Sequence, residues 1–438
     1  MLTYYLELAW RRCRQNLWMV ALLVLTMAIG IASCMTALTI FGALSGQPLP
    51  GISAHLYVAT MDARAAVDKD GDAYSPASLL NLRDAKALVD AHKAAGQVAL
   101  TKSLARVATL DGTHAASQVL GLMAYGPVLS VLGVPLRYGR PWTPAEQAAR
   151  APVVVIGSQL AEKLFGTADA VGKSVAMGKR DFRVIGVTAS WKPRTAFLNL
   201  AMQSGSALGQ PMQYFIPVGA ALDGGVEPFT SGRCEGGPVI TFQSVNVARC
   251  RWMEAWFALP SAAAVTRFDR YLTAYAQAQH AAGRFVYPPQ ARLYGTRAWM
   301  ALHHVVPNDV RLNVILAGGF LLLCMVNVAG LLAARFLKRQ GDVAIRRALG
   351  ASKRQVFAQH LIEAGMLGLA GGLLALPLTL LGLWIVRMQP VGYAPAAQFG
   401  VGVFLVLLVL SLVVGLLVGM LPAWRVCRQP PALQIKVA

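Results

Sequence analysis

The stretch RFLKRQGDVAIRRALGASKRQVFAQHLIE, residues 335–363, decides how the chain is read. It is a short link that carries Arg335, Lys338, Arg339, Arg346, Arg347, Lys353 and Arg354 between two long apolar stretches, 312–334 and 361–386. A helix needs about 20 consecutive apolar residues to cross a bilayer, and 17–44 and 399–421 qualify as well. The apolar run of the first stretch is roughly twice the length of a signal-peptide core, so it reads as an anchor. Spans are expected at 17–45, 307–335, 361–387 and 399–422.

Lys and Arg near membrane crossings stay on the cytoplasmic side. Arg11, Arg12 and Arg14 precede the first span, the link is basic, and Arg425, Arg428 and Lys436 follow the fourth, whereas the loop 388–398 is uncharged. Both termini (1–16 and 423–438) and the link 336–360 are thus placed in the cytoplasm, and 46–306 outside it. This topology absorbs much of the net charge of +20. The external region mixes signs and has no basic run interleaved with aromatics, so nucleic acid is not an expected partner.

The external region is long enough for a domain with its own core. VVVIGSQLAEKLFG, VGKSVAM and DFRVIGV, between 153 and 187, alternate β-rich runs with a helical run that sets Leu160, Leu164 and Phe165 on one face. A second helix is expected over 75–96, with Ser75 as cap and Leu79, Leu82 and Leu88 near one side. The less periodic, Gly- and Pro-richer part at about 189–287 reads as an inserted subdomain. The expected fold class is a membrane protein of four transmembrane α-helices, with a large mixed α/β domain inserted between the first and second.

Of six cysteines, only Cys234 and Cys250 lie outside, where disulfides persist, and a bridge between them is expected. Cys13 and Cys427 fall in the cytoplasm, and Cys34 and Cys324 in spans.

Signals for chemistry are thin. GTADAVGKS (166–174) has one residue too many between its glycines for a nucleotide-binding loop, so Lys173 reads as a solvated charge. Neither HExxH nor GxSxG occurs. His303 and His304 are adjacent and make a poor ligand pair. Asp70 and Asp72 lack the downstream Glu of a calcium loop. No catalytic or metal-binding residue is assigned. Within the apolar stretches 17–44, 312–334, 361–386 and 399–421 Glu363 is the only charged residue, Asn313 and Asn327 are neutral candidates for interhelical hydrogen bonds, and Gly368, Gly371, Gly372, Gly415 and Gly419 allow close packing.

In the link, Asp342 can cap a short helix in which Ile345, Ala348 and Leu349 share a face, and Gly350 can end it. Ser352 and Gln355 form a capping-box pattern that opens the next helix.

GDVAIRRALGASKRQVFAQHLIEAGMLGLAGGLLALPL (341–378) resembles the hallmark segment of FtsX-like permeases of ABC transporters, and LPAWRVCRQPPALQIK (421–436) resembles their ending. APVVVIGSQLAEKLFG, AVGKSVAM and DFRVIGV, preceded by PLRYGRPWTPAE, are similar to the MacB-type periplasmic core domain. The resemblance implies a half-transporter of the inner membrane that binds no cofactor itself. Two such permease subunits, like or unlike, would work with two cytoplasmic ATPase subunits that hold ATP and Mg, with a periplasmic adaptor and an outer-membrane channel as further partners. It also implies that Asp342, Ile345, Arg346, Arg347, Ala348, Leu349, Gly350 and Ala351 dock the ATPase. Asp342 stands where the family usually has Glu, and the fused ATPase of MacB is not present in this sequence. The implied activity is export of a substrate from the periplasm or outer leaflet, by ATP-driven movement transmitted through the membrane. The alternative is a transducer that activates a periplasmic hydrolase; the size of the external domain favours export.

Overall fold

The structure is a computed structural model that describes residues 17–63, 79–112, 116–200, 208–228, 233–234, 237–238, 250–337, 341, 345, 350 and 352–428. The chain forms two compact units, one of helices and one spanning Ser45–Val305.

The helical unit comprises α1 (Leu17–Ser45) and three helices from the C-terminal part of the chain. All four are long and apolar enough to cross a membrane. The domain unit begins with β1 (Leu56–Thr60) and β2 (Leu80–Asn81), followed directly by α2 (Leu82–Asp90). Then come β3 (Gly96–Thr109), β4 (Ser117–Tyr125), α3 (Val128–Val131), β5 (Leu136–Gly139) and α4 (Pro144–Ala148). A β-α-β-β passage follows: β6 (Val153–Gly157), α5 (Ser158–Phe165), β7 (Ser174–Met177) and β8 (Arg180–Thr188). Beyond it lie β9 (Tyr214–Pro217), α6 (Val218–Asp223), β10 (Arg233–Cys234), β11 (Gly237–Pro238), β12 (Cys250–Ala258), α7 (Ala262–Ala281), β13 (Arg292–Gly295) and α8 (Thr296–Leu302).

The strands form one sheet in the order β11-β10-β12-β3-β4-β9-β6-β8-β5, with β1 beside β12, β13 beside β1, and β7 bridging β3 and β8. Pairing is antiparallel except for β4 with β9 and β6 with β8. The sequence VVVIG of β6 is apolar at every position because both sheet faces are covered. Val154 and Ile156 join the core under α2, α5, α6 and α7, while Val153 and Val155 join the core on the opposite face. β12 follows the same rule, with Phe257 on the first face and Trp256 on the second. Asp84, fully buried on α2, ties that helix to α7 and the loop beyond by accepting bonds from Tyr275 Oη (2.7 Å) and Arg284 Nη2 (2.8 Å).

Two expectations need correction. The segment 189–287 is not an inserted subdomain: it supplies β9, inside the sheet between β4 and β6, and β12, beside β3. The helix expected over 75–96 is shorter. It begins at Leu82, where the Asn81 side chain accepts the Asp84 N–H at 2.8 Å, and Leu80 is drawn into a strand against β12; Ser75 lies outside the described residues.

The other three membrane helices are α9 (Asn308–Leu337), α10 (Lys353–Arg387) and α11 (Val401–Arg428). Both α9 and α10 pack their backbones chiefly against α11. Glycine makes the α10–α11 approach close: a Cβ on Gly368 would stand 2.7 Å from Gly415 Cα and from the Ser411 carbonyl oxygen. A Cβ on Gly30 of α1 would meet Cys324 of α9 at 3.0 Å, and one on Gly371 of α10 would meet Met27 of α1 at 3.0 Å. Asn313 and Asn327 are exposed on the protomer. Helix α10 starts eight residues before its apolar stretch, since a membrane boundary need not end a well-capped helix. At 1.5 Å per residue its 35 residues measure about 52 Å, more than the roughly 30 Å hydrocarbon layer.

Candidate coupling site

The residues between α9 and α10 form the link that the sequence singles out. Gly341 and Ile345 are helical, Ile345 is 58% exposed, and Gly350 has φ +102, the left-handed geometry that ends a helix. Asp342, Arg346, Arg347, Ala348, Leu349 and Ala351 lie outside the described residues. α10 opens with a complete capping box: Ser352 Oγ accepts from Gln355 N (3.3 Å), and Gln355 Oε1 accepts from Ser352 N (2.9 Å). The helix that crosses the membrane thus begins at Lys353, on the link side of its apolar stretch.

At the helix ends next to the link, Arg335 of α9 and Glu363 of α10 are both buried, with 3% and 2% of their side chains exposed, and Arg335 Nη2 lies 3.1 Å from Glu363 Oε1. One turn before Glu363, buried His360 lays its ring 4.2 Å from that of Phe336. Arg335, read from sequence as one of the loop cations, is thus an interior residue neutralised by a partner. At the other end of the bundle a groove of about 570 Å³ runs between α1, α9 and α10, lined by Thr36, Asn313, Leu316, Phe320, Gly382 and Val386 among others.

The external domain has a second charged interior that the sequence reading missed. Glu254 is the one acid in the apolar run of β12 and is fully buried. Its Oε2 accepts Asn199 N (2.8 Å) and Trp256 Nε1 (3.0 Å). Asn199, held at φ +54, accepts the Lys102 N–H at 3.0 Å and donates to Thr101 Oγ1 at 3.0 Å. These bonds pin a buried strap, Thr195 to Leu200, across the sheet, and Phe197 stacks edge-on against Trp256. Burial raises the Glu254 carboxyl to about 7, against the pull of its donors. Burial lowers Lys102 to about 8, partly offset by Glu254. An acid inside a two-sided apolar strand was the available signal.

Cys250 is disulfide-bonded, and Cys234 sits directly opposite it in the β10–β12 ladder. Cys34 and Cys324 are free and buried. His303 is half-buried; it packs edge-on against Trp299 at 4.1 Å, and desolvation lowers its pKa to about 4. Lys173 lies over the Phe165 ring at 4.8 Å, beside a turn shaped by Gly172 at φ +88. Asp70 and Asp72 lie outside the described residues, among which no group of three His, Cys, Asp or Glu side chains could hold a metal.

The architecture defines a multi-pass membrane protein with a large α/β domain between its first and second helices and a basic link between its second and third. Residues 20–249 match the family described as MacB-like periplasmic core domain, and residues 314–431 match the FtsX-like permease C-terminal family. The first match covers more than half of the chain, and the chain belongs to the FtsX-like, MacB-type permeases of ABC transporters. That match stops one residue short of β12, although β12 completes the sheet.

Among curated relatives, the macrolide export ATP-binding/permease protein MacB of Escherichia coli O157:H7 is 24% identical over 440 residues, covering 97% of this chain and 59% of that protein. The pyoverdine export ATP-binding/permease protein PvdT of Pseudomonas aeruginosa is 25% identical over 304 residues, covering 69% of this chain and 40% of that protein. The chain therefore spans little more than half the length of such relatives, or less. The periplasmic region of MacB from Actinobacillus actinomycetemcomitans superposes with a TM-score of 0.36 at 17% identity, covering 59% of this chain and 96% of that structure.

Proposed function

We propose that this chain is the non-catalytic permease subunit of an exporter. In this reading a separate cytoplasmic ATPase, which binds ATP and Mg, docks on the link through Asp342, Ile345, Arg346, Arg347, Ala348, Leu349, Gly350 and Ala351. Its closure moves α10, and the movement reaches the external domain, which acts on a substrate already in the periplasm or outer leaflet. Two permease subunits, a periplasmic adaptor and an outer-membrane channel complete the assembly. The protein resides in the inner membrane with both termini cytoplasmic.

The observation that supports this reading is the capping box that starts α10 at Lys353, eight residues before its apolar stretch, so that the membrane helix itself runs back toward the link, in a chain whose family relatives include proteins named for export. The test is affinity purification of the tagged chain from native membranes in mild detergent, with identification of what accompanies it. An ATPase with a periplasmic adaptor is expected. Recovery of no ATPase under conditions that preserve such complexes refutes the reading, and an ATPase with a cell-wall hydrolase replaces export by transduction.

A further inference from the structure

Arg335 and Glu363 stand where a membrane bundle has least use for charge. Burying an ion pair costs desolvation that apolar side chains avoid, so such a pair is poor evidence of stability and better evidence of a specific arrangement. Here the arrangement is local and one-sided. The backbones of α9 and α10 each pack chiefly against α11, and long side chains connect α9 to α10 directly at the end that adjoins the link. Two consecutive residues of α9, Arg335 and Phe336, meet two residues one turn apart on α10, Glu363 and His360. At the opposite end the same two helices border the groove of about 570 Å³, so they are pinned at one end and parted at the other.

From this geometry we infer that the Arg335–Glu363 pair, buttressed by His360 on Phe336, is a pivot that holds α9 and α10 together beside the link, so that displacement of the link changes their separation at the groove. The inference rests on the link being the coupling element. Sliding one helix against the other would strand two charges in a low-dielectric interior, which makes the pivot resist translation while permitting tilt. Arg335 and Glu363 are positioning residues: they touch no nucleotide and no substrate.

The test uses the full chain with its ATPase in membranes, with spin labels at Leu316 and Val386 across the groove and ATP with vanadate as the driver. In the wild type the Leu316–Val386 distance shifts on trapping. Arg335→Met and Glu363→Met each keep ATPase co-purification and ATP hydrolysis but lose the shift. The charge swap Arg335→Glu with Glu363→Arg restores it, which a purely structural role would not require. The double variant Arg335→Met/Glu363→Met removes the charges while keeping apolar packing, and so guards against misfolding of the single variants. If it shifts as the wild type does, the pivot is overturned although the coupling reading stands. If the wild-type chain recruits no ATPase, the coupling reading and the pivot fall together.

Discussion

Replacing Gly368 by alanine tests whether the α10–α11 contact is as close as it looks. The new methyl would stand 2.7 Å from Gly415 Cα and 2.7 Å from the Ser411 carbonyl oxygen, where ordinary contact begins at 3.4 Å. Both neighbours are backbone, so no side chain can swing away, and the helices must part locally by roughly 0.7 Å. Overpacking of this kind costs about 1–3 kcal/mol. Alanine also has better helix propensity than glycine, by about 1 kcal/mol, which leaves a net loss of up to about 2 kcal/mol. Gly318→Ala is the internal control: it lies on α9 with nothing within 4 Å of its Cβ position, so it changes stability little or raises it. SDS-driven unfolding of the full chain in mixed micelles, followed by tryptophan fluorescence, reads both. Gly368→Ala unfolds at lower SDS than the wild type, and Gly318→Ala at the same or higher SDS. If the two variants are equally stable, the helices do not meet backbone to backbone at Gly368.

Leu349→Asp, or Arg346→Glu together with Arg347→Glu, leaves the protein in the membrane but abolishes ATPase co-purification; undiminished recovery of the ATPase would remove these residues from the docking surface. Glu254, with its carboxyl raised from 4.5 to about 7, contributes stability that is fully present below pH 4.5 and lost as pH rises through 7. The swing is on the order of 3 kcal/mol. Thermal unfolding of the full chain in detergent therefore shows a fall in stability from about pH 5 to 7.5 that Glu254→Gln flattens, and equal slopes in both proteins would show that Glu254 is already ionised at pH 5. A Cys234–Cys250 bridge closes a loop that the chain-entropy model values at about 3 kcal/mol. Cys234→Ser destabilises the external domain by that order, and alkylation of the unfolded, unreduced wild type followed by mass spectrometry finds both cysteines unmodified. Labelling of either one would disprove the bridge.

The membrane helices were legible because length and apolar content are properties of a contiguous stretch. The β6–α5–β7–β8 passage was legible for the same reason, since its partners follow one another along the chain. β12 was not. Its neighbours β3 and β1 lie about 150 and 200 residues away in sequence, and the aperiodic segment before it made 189–287 look like an insertion. Charge was misread wherever burial decided its role. Arg335 counted as one more loop cation because sequence cannot show that Glu363, 28 positions later, reaches back to it. Glu254 and Lys102 were given no role from the sequence, although an acid within CRWMEAWFA is out of place in a strand that is apolar on both faces.

The polar groups inside the bundle favour transmission of movement over conduction of a solute. A conduit needs ionisable or polar side chains that face a common path along the membrane. The buried hydroxyls of the spans are instead used within their own helices: Thr39 donates to the Met35 carbonyl (2.6 Å), Thr379 to that of Ala375 (2.8 Å) and Ser411 to that of Leu408 (2.8 Å). Each satisfies its proton one turn back and offers little to a passing substrate. Among the described residues, the buried ionisable side chains of the spans are Arg335, His360 and Glu363, and all three gather at one end. In the proposed reading the helices move as rods, and the Arg335–Glu363 pair is the fixed point of that motion.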